Sequence, residues 1–130
     1  MNRRHLLRWL CGSAAALPLV GRAADRVPLV HRILVLDSRI AGFAYYHGSN
    51  CLQQLAVGDA LTVLREPENS HDENAVALYW QGKQLGYVPR VSNRALSRLL
   101  DEGRRVQANI RVVDADSHWE PLHFEVYVLV

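Results

Sequence analysis

The sequence predicts a mainly β domain: a small closed or nearly closed barrel of about six short strands with one or two helices. Three observations lead there. Short β-branched runs alternate with clusters of turn formers. One stretch only, near residues 91–102, has clear helical periodicity. The chain has 130 residues, 49% hydrophobic and 22% charged, which is the composition of one globular domain and excludes wholesale disorder.

The elements follow in order. Val27 to Ile40 is β-rich, with Val30, Ile33, Val35 and Ile40 branched at Cβ. Residues 41–50 carry two glycines and read as a loop. Val57-Gly58-Asp59 is a turn, and Ala60 to Arg65 a strand. Residues 66–74 are dense in turn formers and must connect. Ala75 to Trp80 resumes a strand, Gln81-Gly82 turns tightly, and Lys83 to Val88 returns until Pro89 ends it. In the helix from Val91 to Glu102, Ser92 can cap the start, Ala95, Leu96, Leu99 and Leu100 form an apolar face, and Gly103 occupies the C-terminal cap position. Arg90, Arg94 and Arg98 recur at helical spacing, either as a basic stripe or as a solvated face. Arg105 to Val113 and Leu122 to Leu129 are the last strands, the second alternating around Phe124, Val126 and Val128.

Residues 1–23 read as a removable export signal. Arg3, Arg4 and Arg8 open a segment without acids, a short apolar run follows, and small residues stand at its exit. The run is too short to span a bilayer, which takes about 20 apolar residues. Asn2-Arg3-Arg4-His5-Leu6-Leu7-Arg8 resembles a twin-arginine motif, which implies a bacterial protein exported already folded. Cleavage is expected after Ala23, with residues 24–29 a short linker, residues 30–130 the domain, and the periplasm its destination. A helix packed on the domain is the competing reading, which would leave the protein cytoplasmic, but Gly12, Ser13 and Pro18 spoil it. The residues before Cys11 lack the small side chains that lipid anchoring requires. Without the signal, Cys51 is a lone thiol and no internal disulfide can form.

Charge changes sign with that segment. The whole chain has 15 basic and 13 acidic residues, a net +2, and a basic pI invites a nucleic-acid reading. Arg3, Arg4, Arg8 and Arg22 belong to the signal, which leaves 11 basic against 13 acidic residues, a net −2. Such a domain lacks the broad positive surface of salt-sensitive, non-specific DNA binding. Any nucleic-acid contact must be local.

Enzyme signals are poor. There is no phosphate-cradling glycine loop, no nucleophile elbow and no His pair at i, i+4. His71-Asp72 can be drawn as a base with an orienting carboxylate, yet adjacent residues seldom meet that geometry. His118 and His123, near Asp114 and Asp116, fit no recognised metal spacing. Neither catalysis nor a metal or other cofactor is expected. More informative are two loops that carry planar rings beside polar groups: Gly42 to Gly48, with Tyr45 and Tyr46, and Arg65 to Val76, with His71. Rings on rigid loops suit single-stranded nucleic acid, because every base has a face to stack. The plainer alternative is that one tyrosine packs in the core and the other lies exposed.

Five segments in order closely resemble the HIRAN domain: Gly42-Phe43-Ala44-Tyr45-Tyr46, Val57-Gly58-Asp59, Arg65-Glu66-Pro67-Glu68-Asn69, Asp72-Glu73-Asn74-Ala75-Val76 and Leu85-Gly86-Tyr87-Val88-Pro89-Arg90. The resemblance covers about residues 30–130. It implies a six-stranded OB-like or SH3-like barrel with short helices, and a DNA-binding module gripping the 3′ end of single-stranded DNA. It also implies roles. Tyr45 would stack on a terminal base, with Tyr46 beside it, and His71, where the family often has Tyr, would stack from the opposite side. Asp72 would accept a hydrogen bond from the free 3′-hydroxyl, Asn69 would bond near the same nucleotide, and Tyr87 and Arg90 would lie toward the phosphates. Asn74 would fix the loop. Ala44 stands where eukaryotic members have Arg, and the helicase motor and zinc-binding ring of long members have no counterpart in this sequence. A rival reading keeps the barrel but gives its cleft to a peptide, glycan or protein partner in the cell envelope, where chromosomal DNA is seldom met.

Overall fold

The computed structural model describes residues 31–117 and 120–130. The expected export signal and linker, Cys11 and His118 lie outside the described residues.

Six antiparallel strands form one sheet: β1 (Arg32–Arg39), β2 (Ala60–Arg65), β3 (Val76–Trp80), β4 (Lys83–Tyr87), β5 (Val106–Val113) and β6 (Leu122–Leu129). Their order across the sheet is β1-β6-β5-β2-β3-β4. Among the described residues no ladder joins the edge strands β1 and β4, so the sheet is not closed. Its ends do meet at one point, where Ala41 and Tyr87 exchange backbone hydrogen bonds of 2.9 Å each. The architecture is mainly β with short helices, as the strand pattern predicts, and is consistent with the OB-like fold that the resemblance implies.

Gly86 is what allows that meeting. It has φ +154°, and a Cβ there would stand 2.3 Å from the Ala41 carbonyl oxygen. Any side chain would push the two edges apart.

The 41–50 segment is more ordered than a plain loop. It holds a 3-10 turn at Phe43–Tyr45 and runs into the one-turn helix α1 (Gly48–Cys51), after which Leu52–Gln54 form a second 3-10 turn. Phe43 is buried and lies so close to Gly48 that a Cβ there would be 2.2 Å from its ring. The His47 amide donates to the Gln84 carbonyl at 3.0 Å and ties the segment to β4.

The core lies where the alternation puts it. Leu122, Phe124, Val126 and Val128 bury one side of β6, against Ala108 and Ile110 of β5, Leu61 of β2, Val76, Leu78 and Trp80 of β3, and Leu85 of β4. Helix α2 (Asn93–Asp101) covers part of this core through Leu96 and Leu100. It is shorter than residues 91–102, and two sequence details need correction. Ser92 occupies the N-cap position but makes no side-chain cap hydrogen bond. Ala95 is exposed, and the buried stripe runs through Asn93, Leu96 and Ser97, two of them polar. The C-terminus is as expected. Gly103, at φ +79°, lets the Arg104 amide donate to Leu99 and its own amide donate to Leu100, which satisfies the last carbonyls.

Candidate functional site

The β2–β3 connection is rigid because its own side chains satisfy its backbone. Asn69 Oδ1 accepts from the amides of His71 (2.9 Å) and Asp72 (3.2 Å), and Asn69 Nδ2 donates to Glu66 Oε1 (2.9 Å). Asp72 Oδ1 accepts from the Asn74 amide at 2.9 Å. These are the local bonds that Asn and Asp form in turns. The loop is then fastened from both sides. Tyr87, on β4, donates its hydroxyl to Glu66 Oε1 at 2.8 Å. Asn93, on α2, donates to Asp72 Oδ2 at 2.7 Å, and the Ser97 hydroxyl lies 3.4 Å from Asn74 Oδ1.

Between this loop, the chain after β1 and the end of β4 lies a cleft of about 270 Å³. Tyr46, Asn69, His71, Asp72, Tyr87 and Arg90 line it, together with Ala41, Ala75 and Val88. Six of the seven residues singled out from the sequence therefore converge on one cavity. Tyr46 stands edge-on to Tyr87, with centroids 5.6 Å apart and planes at 65°. Tyr45 is the exception: it does not line the cleft and is 82% exposed, because burial of Phe43 in the same turn directs it to solvent. Tyr46 is half-buried in the cleft wall rather than in the hydrophobic core, and Tyr45 is exposed.

The electrostatics are asymmetric. The backbone N–H of Asn74 holds the Asp72 carboxyl below its ordinary range; burial opposes this, while the Asn93 amide and the Arg90 and Arg65 guanidiniums add to it. Arg90 Nε is 3.7 Å from Asp72 Oδ2, yet the Arg90 side chain remains mostly exposed. Burial pushes the Tyr87 hydroxyl up to about 12, with the Glu66 carboxylate adding to the rise against the lowering influence of Gln84. At neutral pH the cleft thus holds an ionised acceptor at Asp72, a protonated phenol committed to Glu66, and a solvent-facing cation at Arg90. Asn69 has both polar ends engaged within the loop.

Among the described residues, the His71 ring makes no hydrogen bond to Asp72, and no cluster of His, Cys, Asp or Glu could hold a metal ion. His123 sits on β6 outside the cleft. Three residues that shape the site, Glu66, Asn93 and Ser97, do not stand out as site residues in the sequence. Asn93 and Ser97 do leave a signal: two polar residues at i, i+4 share the inward register of Leu96 and Leu100.

Comparison with known proteins bears on the whole of this architecture. The Fanconi-associated nuclease 1 homolog of Oryza sativa subsp. japonica is 32% identical over 72 residues, which is 52% of this chain. The match spans only 7% of that protein's length. A Lactobacillus plantarum protein of known crystal structure superposes with a TM-score of 0.69 at 25% identity, covering 78% of this chain and 98% of that one. The HIRAN domain of human HLTF superposes with a TM-score of 0.58 at 20% identity, over 75% of this chain and 79% of that one, and shares the fold. The HIRAN domain family itself matches residues 33–130, from within β1 to the end of β6 and through every wall of the cleft; the chain belongs to that family.

Proposed function

We propose that this domain is a non-catalytic module that binds single-stranded DNA at a 3′ end. Family membership supports nucleic-acid binding in general. The end-binding reading is carried by one observation: an ionised Asp72 acceptor shares a small cleft with the Tyr46 and His71 rings and the Arg90 cation. A terminal base needs a flat face, a phosphate needs a cation, and a free hydroxyl needs an acceptor. Tyr45, exposed beside Tyr46, offers a second face for stacking outside the cleft.

A carboxylate also sets the polarity of the choice. It accepts from a 3′-hydroxyl but repels a 3′-phosphate. The decisive measurement is fluorescence anisotropy with a short single strand labelled at its 5′ end, carrying either a 3′-hydroxyl or a 3′-phosphate. Tighter binding of the hydroxyl form is expected, with the preference lost in Asp72→Asn. Equal affinity of the unaltered protein for both would sink the end-binding role.

A further inference from the structure

Helix α2 carries two basic side chains that the cleft does not use. Arg94 and Arg98 lie one turn apart and are both exposed, so they repel each other along the helix surface. Among the described residues neither forms an ion pair: Asp101 of the same helix is engaged by Arg65 at 3.0 Å, and Asp72 by Arg90. Beside the two arginines runs a shallow groove of about 570 Å³, lined also by Leu36, Val91, Ser92 and Ala95. Val91, a large aliphatic residue, is 96% exposed there. Sequence continuity joins the groove to the cleft, since Arg90 lines the cleft and Val91 the groove. In a domain of net negative charge, a groove that pairs apolar surface with these guanidiniums matches a polyanion that also exposes apolar rings.

We propose that this groove takes the continuation of the same DNA strand, 5′ to the end held in the cleft, with Arg94 and Arg98 on its phosphates and Val91 and Leu36 against its bases. The inference rests on the end-binding reading of the cleft. It makes strand length matter: the cleft holds the terminal nucleotide, and the helix adds affinity only for strands long enough to reach it.

The test compares a trinucleotide with a strand of about ten nucleotides, both ending in a 3′-hydroxyl, across a range of salt concentrations. For the unaltered protein the longer strand should bind more tightly and with the steeper salt dependence. In R94Q/R98Q the longer strand should weaken several-fold and its log–log salt slope should fall by about 1.4, from two lost single-strand phosphate contacts. Trinucleotide binding should hold, and R94K/R98K should keep most of the long-strand affinity. Both side chains are exposed, so an unchanged melting temperature verifies the fold. Long-strand binding that R94Q/R98Q leaves intact, or equal weakening of both strands, overturns the groove while leaving the cleft reading in place. Failure of the unaltered protein to bind either strand overturns both.

Discussion

The side-chain amide of Asn93, 2% exposed on the inner face of α2, donates to Asp72 Oδ2 at 2.7 Å. One partly buried bond thus joins the helix to the carboxylate that lines the cleft. It orients that carboxylate, and together with the Asn74 backbone N–H it favours the ionised form. Asn93→Ala should therefore cost about 1.5–3 kcal/mol of stability, the range for hydrogen bonds to charged groups. Denaturant unfolding near neutral pH measures this. A loss below about 0.5 kcal/mol would mean the bond has no energetic role.

Asp72 gives the fold a pH dependence of fixed sign. Its folded pKa lies below the ordinary 3.8 of an aspartate, so the native state favours ionised Asp72 more than the unfolded chain does. The resulting stability is fully present above about 3.8 and is lost as pH falls through the lower folded value. Asp72→Asn removes this titration. Its stability curve should run flatter than that of the unaltered protein on the acid side, and parallel curves below pH 4 would contradict the assignment.

Tyr87 makes the opposite prediction at alkaline pH. Burial first, and then the Glu66 carboxylate, raise the phenol from 10.0 to about 12. The folded state therefore favours the neutral phenol. That contribution is complete below about 10 and disappears as pH rises to about 12. Tyrosinate absorbance should show a component titrating near 12, and Tyr87→Phe should delete it while leaving the raised Tyr127 in place. An unchanged titration would show that Tyr87 is not the group titrating there.

Strands, turns and the final helix cap were legible in the sequence because each is local. Alternation placed Phe124, Val126 and Val128 in the core, and Gly103 marked the helix end through its own φ. The convergence of Tyr46, His71, Asp72, Tyr87 and Arg90 was legible only as a resemblance, since nothing local says that the β2–β3 loop and the end of β4 share a cavity. Asn93 shows the limit. Its inward register on the helix is legible, but its bonding partner is not, because Asp72 lies 21 residues away in the chain. The division of labour between Tyr45 and Tyr46 was equally hidden, because it depends on Phe43 filling the core space beside Gly48.

That division separates binding from stability. Tyr45 is exposed, so Tyr45→Ala should change stability by no more than about 0.5 kcal/mol. If it stacks on a base, the same change should weaken single-strand binding by about 1–3 kcal/mol. Tyr46 packs edge-on against Tyr87, and Tyr46→Ala should lower stability as well as affinity. Anisotropy and thermal melts on the two variants resolve the roles; a Tyr45 variant with full affinity would restrict stacking to the cleft.

The meeting of Ala41 with Tyr87 connects fold to site most directly. Those two backbone bonds set the end of β4 against the chain after β1, and both residues line the cleft. Gly86→Ala would place a methyl 2.3 Å from the Ala41 oxygen and force an L-residue to φ +154°. Strain of that kind costs about 1–3 kcal/mol, and the clash adds to it. The variant should melt earlier and also bind single strands more weakly, because relieving the clash moves Tyr87 and Ala41 apart. Gly82 offers the matched control: its φ is +78°, but among the described residues no atom lies within 4 Å of where an alanine methyl would stand. Gly82→Ala should therefore lose stability through backbone strain alone and keep full affinity. If both alanine variants bound DNA equally well, the Ala41–Tyr87 junction would be a feature of the fold without influence on the cleft.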